Sequence, residues 1–396
     1  MMQNRGASEV LVAFLKLGCV SFGGPVAHLG YFRDEFVSRR RWLDERAYAD
    51  LVALCQFLPG PASSQVALAI GLSRAGFLGA AAAWIGFTLP SALLMTLFAF
   101  GVPASLGAPG AAWLNGVKAV AVAVVALATL NMGRTLAPDR GRATLAVVAA
   151  IIVLAAPVAW GQLAAIAIGA IVGLALPREE PLAKSHAPPA LIDKTFGLAS
   201  LVAFFALLVL LPLAAAATTS QGIRYFDAFY RAGALVFGGG HVVLPLLQAA
   251  VTPPGWISND AFLAGYGAAQ AVPGPLFSFA AYLGAAMGPA PNGVVGAALC
   301  LVAIYLPSFL LIIGVLPFWT TLRQQPMVRA ALRGVNASVV GLLIAALYHP
   351  VWTAGIVNAA DYAIAIAAFL LLFMWRTPPW LVVVLGALAG AALGAT

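Results

Sequence analysis

Charge is what this sequence has least of. Only 9% of its 396 residues are Asp, Glu, Lys or Arg, against about 25% in a soluble domain. Residues 261–322 hold none of these and no histidine. A run of that length is enough for more than two bilayer crossings at ~20 residues each. No soluble catalytic domain has room to exist. Cysteine is nearly as scarce. Cys19, Cys55 and Cys300 all lie in apolar stretches, with no disulfide framework and no metal-ligand spacing. They read as small buried hydrophobes. No buried Ser-His-Asp set and no Gly-x-Ser-x-Gly occurs, which disfavours a membrane enzyme. No metal and no cofactor is expected. Residues 1–8 are short and lead straight into an apolar segment, so no cleavable signal peptide is expected.

What is present is apolar, and it is punctuated. The chain is 62% hydrophobic, with a mean hydropathy of +0.98. An all-α polytopic membrane protein follows. The net charge of +8 would suggest nucleic acid for a soluble chain. Here it is expected to lie in cytoplasmic loop arginines, which set orientation. The lipid bilayer is therefore an expected partner and nucleic acid is not. A homodimer is among the assemblies the sequence permits.

The chain writes one kinked phrase twice. Gln56-Phe57-Leu58-Pro59-Gly60-Pro61-Ala62-Ser63-Ser64 returns as Gln270-Ala271-Val272-Pro273-Gly274-Pro275-Leu276-Phe277-Ser278. Pro-Gly-Pro removes two backbone donors and forbids a straight helix. In lipid such a break is tolerated only where protein or a wet cavity covers the loose backbone groups. Matching breaks in two halves point to a substrate site. Other matches flank the phrase in the same order. Gly18, Phe22, Gly23 and Gly24 pair with Gly233, Phe237, Gly238 and Gly239; Trp42 pairs with Trp256; Pro90-Ser91 pairs with Pro307-Ser308; Gly116-Val117 pairs with Gly334-Val335. The offset drifts from 215 and 214 to 217 and 218, as loop insertions would make it.

Loop charge orients the copies. Arg33, Arg39, Arg40, Arg41 and Arg46 share one loop, whose counterpart at 249–260 has no Lys or Arg. Arg74, Arg134, Arg140 and Arg142 likewise face bare counterparts. The bias reverses at 101–117, which is uncharged where its counterpart carries Arg323, Arg329 and Arg333. Basic loops stay cytoplasmic, so the halves are expected in opposite orientations. The expected division is an N-terminal repeat at 1–176, a cytoplasmic linker at 177–197, a connecting crossing at 198–217 and an inverted repeat at 218–396. Re-entrant hairpins are expected at 9–36, 47–73, 226–248 and 261–287, with arms of about 12 residues, ~18 Å of helix. Crossings are expected near 76–100, 112–132, 143–158 and 161–176, then near 292–317, 334–349, 356–375 and 378–396.

The hairpin tips are the candidate site. Pro25 and Pro61 each follow glycine and can start a half-helix. Ser63 and Ser64 fall in the first turn after Pro61, and Ser278 matches Ser64. Helix N-termini offer free amide donors and a partial positive charge, which suit an anion. Four such ends meeting at mid-membrane would cradle an oxyanion; the plainer alternative is that the kinks only shape packing. Lys16 and Arg231 each precede a tip by seven residues. They could attract a divalent anion or snorkel to the interface. His28 and His241 flank the tips and could couple protons, although a satisfied buried histidine is the favoured reading. Gln56 and Gln270 could donate to an oxyanion or cap freed carbonyls. Asp50 reads as an interfacial residue.

Phe22-Gly23-Gly24-Pro25, Arg40-Arg41-Trp42-Leu43, Gln56 to Pro61, and in the second half Phe237-Gly238-Gly239-Gly240 with Pro273-Gly274-Pro275 resemble the chromate ion transporter family over nearly the whole chain. The resemblance implies chromate efflux across a bacterial inner membrane and chromate resistance. It bears most directly on Gly23, Gly24, Pro25, Pro59, Gly60 and Pro61. Gly240 stands where the first tip has Pro25, so the two tips need not be equivalent. The expected activity is secondary active export of chromate or a similar tetrahedral dianion. A sulfate or other oxyanion carrier, or a passive anion channel, remains open.

Overall fold

A computed structural model describes residues 2–22, 24–105, 112–156, 159–175, 192–237, 242–322 and 325–393. Among them there is no strand; the chain is an all-α polytopic membrane protein. The first half runs α1 (Met2–Val20), α2 (Gly24–Arg33), a π-turn (Asp34–Arg39), α3 (Glu45–Phe57), α4 (Ala62–Ser105), α5 (Ala112–Leu136), α6 (Arg140–Ala155) and α7 (Ala159–Ala175). Helix α8 (Lys194–Ala217) follows. The second half runs α9 (Gln221–Ala234), α10 (Val243–Val251), α11 (Asn259–Ala271), a 3-10 turn (Leu276–Ser278), α12 (Phe279–Ala286) and α13 (Gly293–Val315). It closes with short α14 (Trp319–Leu322), α15 (Pro326–Ala346), short α16 (Thr353–Gly355), α17 (Ala359–Phe373) and α18 (Pro379–Leu393).

The helices break where Pro-Gly-Pro predicts. Helix α3 ends at Phe57 and α4 starts at Ala62; α11 ends at Ala271 and the chain turns helical again at Leu276. Helix α4 is itself two helices, divided at Ala75 and Gly76, where Gly76 has φ +62°. Its first part is thus the outgoing arm of a hairpin and its second part a crossing. Five segments are long and apolar enough to cross a bilayer: Ala62–Gly101, Ala112–Leu136, Lys194–Ala217, Gly293–Phe318 and Pro326–Gly355. Helix α8 lies at the edge. Phe196, Leu198, Val202, Phe205, Val209 and Leu213 are all more than half exposed, an apolar stripe suited to lipid tails.

Three boundaries differ from the sequence expectation. Helix α1 spans 19 residues and α2 only 10, so the arms of the first hairpin are unequal, because nothing in 2–8 stops the helix. Helix α8 starts at Lys194, with Asp193 as its N-cap accepting from the Thr195 amide at 3.0 Å. Residues 194–197 therefore belong to a helix; 177–191 of the expected linker lie outside the described residues. Helix α15 starts at Pro326, well before 334, since proline suits a first turn. Arg329 and Arg333 ride on that helix.

Contacts recur in pairs at the spacing of the sequence repeat. Helix α1 packs on α4 as α9 packs on α13. Helix α5 of the first half packs against α17 and α18 of the second, while α15 of the second packs against α6 and α7 of the first. The halves are thus interlocked. Glycine makes the crossings close: a Cβ on Gly116 would fall on the Gly386 carbonyl, and one on Gly334 on the Gly169 carbonyl. Such small-residue approach is how helices associate in lipid, where burial gives no advantage between apolar surfaces.

Candidate functional site

Two hydrogen bonds tie the tips of one half to those of the other. The Gly60 amide donates to the Val236 carbonyl at 2.6 Å, and the Gly274 amide donates to the Ser21 carbonyl at 2.8 Å. Gly60 and Gly274 are repeat mates, and so are Ser21 and Val236, so the two bonds are one contact made twice. His28 closes the set. Its Nδ1 lies 3.3 Å from Ser63 Oγ and its Nε2 lies 3.2 Å from the Ser21 carbonyl. The four tips are therefore joined in the order fourth, first, second, third.

Glycine is required at both bonds. Gly60 has φ +123° and Gly274 φ +98°, conformations that side-chain-bearing residues rarely adopt. Each also faces a serine on the partner half's long helix. A Cβ on Gly60 would lie 2.8 Å from Ser308 Oγ, and one on Gly274 would lie 3.0 Å from Ser91 Oγ. Ser91 and Ser308 are repeat mates as well. Both follow a proline, Pro90 in α4 and Pro307 in α13, which frees helix backbone beside each serine.

Around these contacts lies a buried polar cluster. Gln65 serves two carbonyls of the Pro-Gly-Pro tip: its Nε2 donates to that of Pro59 at 2.6 Å and its backbone amide to that of Pro61 at 2.9 Å. Ser63, Ser64 and Ser278 are at most 3% exposed. The hydroxyls of Ser21 and Ser308 are buried without a hydrogen-bond partner among the described residues, and those of Ser64 and Thr88 face the Tyr305 hydroxyl without a hydrogen bond of good geometry. An unpaired buried hydroxyl costs roughly 1–3 kcal/mol, so such a cluster needs an explanation beyond packing. Amides at the start of α4 add donors, because the first turn of a helix has no acceptor for them within the helix.

The expected residues divide. Pro59, Gly60, Pro61, Ser63, Ser64, Pro273, Gly274, Pro275 and Ser278 are brought together with His28. Gly24 and Pro25 open α2 beside them. Gly23, Gly238, Gly239, Gly240 and His241 lie outside the described residues. Gln56 is exposed and does not cap the tip; Gln65 does that. Gln270 is half-buried, with its Nε2 buried and unpartnered. Lys16 is exposed. Arg231 is not an isolated cation, because Asp227 one turn earlier accepts from its Nε at 2.8 Å and its Nη2 at 2.5 Å. The histidine is held as a satisfied buried residue, 1% exposed.

Several participants escaped the sequence reading. Gln65, Thr88 and Tyr305 carry no motif, and Ser91 and Ser308 stand out in the sequence only as repeat mates, not as site residues. Lys118 was also missed. Its ammonium is buried in α5 and meets Asp260 of α11 at 2.8 Å, joining the two halves. The loop arginines serve structure. Arg39 and Arg40 hold the Glu35 carboxylate at 2.9 and 2.7 Å. Arg40 and Arg74 both reach Glu9 at 3.2 Å and lie over the Trp42 ring. Burial alone would raise the Glu35 carboxyl, but Arg40 and Arg39 bring it below its ordinary range.

A hydroxyl- and amide-lined centre between two interlocked sets of broken helices is a membrane transporter's arrangement, and known proteins agree. The profile described as Chromate transporter matches residues 8–174 and 223–391. The chain belongs to the chromate transporter family, a family of transporters and not of enzymes. It is 30% identical to the chromate transport protein of Pseudomonas aeruginosa over 85% of this chain and 79% of that one. It is 27% identical to that of Cupriavidus metallidurans over 97% of this chain and 91% of that one. A probable chromate transport protein of Synechococcus elongatus is 29% identical over 84% and 82%. No solved structure matches the chain.

Proposed function

We propose that this chain is a secondary active transporter that exports chromate, or a tetrahedral oxyanion like it, across the bacterial inner membrane and so confers chromate resistance. The observation that carries the reading is the reciprocal bond pair, Gly60 to Val236 and Gly274 to Ser21, set among buried hydroxyls with no well-formed hydrogen bond among the described residues. The dianion is held by neutral donors: the first-turn amides of α4 and the hydroxyls of Ser64, Ser308 and Tyr305. Ser63, Ser278, Gly24, Pro25 and the two Pro-Gly-Pro tips shape that centre. Lys16 and Gln56 are not part of it. The relatives named for chromate transport support the ion, and the reversed arginine bias between 1–176 and 218–396 supports oppositely mounted repeats. Rocking of one interlocked set against the other would expose the ion alternately.

The test is uptake of labelled chromate into energised everted vesicles, with sulfate as competitor. Saturable uptake driven above equilibrium by the proton gradient or the membrane potential is expected. Each hydrogen bond to a charged group contributes roughly 1.5–3 kcal/mol, so S64A/S308A should raise KM at least tenfold while leaving the melting temperature unchanged or higher. Unsaturable flux that only equilibrates would make the protein a channel. Unchanged KM in the double variant would remove the tips from the site, and stronger uptake of sulfate than of chromate would reassign the ion.

A further inference from the structure

A cavity of about 270 Å³ lies beside α9. Its wall carries Arg224, Asp227 and Arg231 from α9, Gln162 from α7, Leu246 from α10 and Trp256. Among the described residues, neither Pro-Gly-Pro tip lines it, although Leu235, next to Val236, does. The three charged residues stand at i, i+3 and i+7, which places them along one helix face. They are the only titratable groups in the wall among the described residues; α7, α8 and α10 contribute none. Tyr225 and Tyr230 of the same helix are engaged elsewhere, with the carbonyls of Pro289 and Phe204.

The charges are unequally placed. The Asp227 side chain is 5% exposed and that of Arg231 29%, while Arg224 is exposed and donates to the Thr218 carbonyl at 3.1 Å. The wall thus holds two cations and one buried carboxylate. Asp227 occupies the Nε–Nη2 edge of Arg231, the two-donor edge that also fits a tetrahedral oxyanion. In an apolar wall an ionised carboxylate beside a dianion is strongly repelled.

We propose that this cavity is a second oxyanion site, in which a tetrahedral dianion takes Arg231 from Asp227 and Asp227 takes up one proton from water. One anion and one proton enter together. Neutralising Asp227 leaves both arginines facing the occupant. The site communicates with the tips by position, because α9 leads directly to Val236, whose carbonyl holds Gly60. Only the class of ion rests on the proposed function.

Equilibrium binding of radiolabelled sulfate to the full chain in nanodiscs, at pH 6, 7 and 8, tests this. Because a proton enters with the anion, affinity rises as pH falls, by up to tenfold per unit for one linked proton. Wild type should show that slope. D227N should bind at least as tightly as wild type at pH 6, with no slope. R231Q should lose the sloping component, and D227N/R231Q, which removes both charges, should lose it too and serves where a single variant fails to fold. S64A/S308A should keep the slope. A flat wild-type profile, a wild-type slope in D227N, or loss of the sloping component in S64A/S308A would overturn the proposal. If instead S64A/S308A leaves both binding and chromate transport intact while D227N is flat, the tip reading fails and the cavity stands.

Discussion

Alanine at Gly60 adds a methyl group where φ is +123°, beside Gln65 Nε2 and 2.8 Å from Ser308 Oγ. Backbone strain at positive φ costs roughly 1–2 kcal/mol for a residue with a Cβ. The methyl also displaces Gln65, whose bond to the Pro59 carbonyl contributes about 0.5–1.5 kcal/mol and would leave that carbonyl unpaired. Gly274→Ala meets the same strain at φ +98°, but its nearest contacts, Ser91 Oγ at 3.0 Å and the Phe87 carbonyl at 3.2 Å, are looser. The two repeat mates should therefore differ. G60A should lose roughly 2–4 kcal/mol and G274A about 1–2 kcal/mol, the excess being the packing cost. Thermal unfolding in detergent, together with chromate uptake at matched expression, reads both. G60A should melt lower and carry less than G274A, and both should fall below wild type. Q65A should narrow the gap, since it removes the group the methyl strikes. Equal melting temperatures for G60A, G274A and wild type would refute the reading that these glycines hold the tips.

Two further outcomes follow from the interlocked halves. G116A and G334A each place a methyl on a partner backbone carbonyl that cannot swing away, so each should destabilise by roughly 1–3 kcal/mol; a melting temperature equal to wild type in both would mean that α5–α18 and α15–α7 are not in close contact. At the Lys118–Asp260 pair the partners are unequally buried, with side chains 10% and 57% exposed. D260A strands a buried cation, at roughly 1–3 kcal/mol, whereas K118M leaves a solvated carboxylate. D260A should therefore melt lower than K118M, and the reverse order would contradict the burial assignment.

Local rules made most of the fold legible. Proline and glycine dictate their breaks through the backbone alone, so the gaps after Phe57 and Ala271 could be read directly, and so could the apolar helices near α5, α13, α17 and α18. Missing from that reading was the end of a helix that no proline or glycine marks, as at α1. The site was legible as backbone and illegible as side chains. The Pro-Gly-Pro tips and Ser63, Ser64 and Ser278 announce themselves through the repeat. Gln65, Thr88 and Tyr305 do not, because a polar residue in an apolar helix can face any of several neighbours. Arg231 is weighed in the sequence beside Lys16 and without Asp227, which is recognised as its partner only once one turn of α9 brings their side chains together.

The amino-acid order by itself determined the membrane class, the duplicated kink and the reversal of loop arginines, since each depends on residue type and spacing and needs no partner. Tertiary structure alone decided that Gly60 seeks Val236 while Gly274 seeks Ser21, that α5 and α15 are each clasped by the opposite half, and that the hydroxyls of Ser21, Ser64, Thr88, Tyr305 and Ser308 are buried at the meeting point with no hydrogen bond of good geometry among the described residues. Those facts arise from groups more than a hundred residues apart, or on different helices, settling against one another. Hydrogen bonds and van der Waals contacts act over a few ångströms of space, and chain position does not specify that distance.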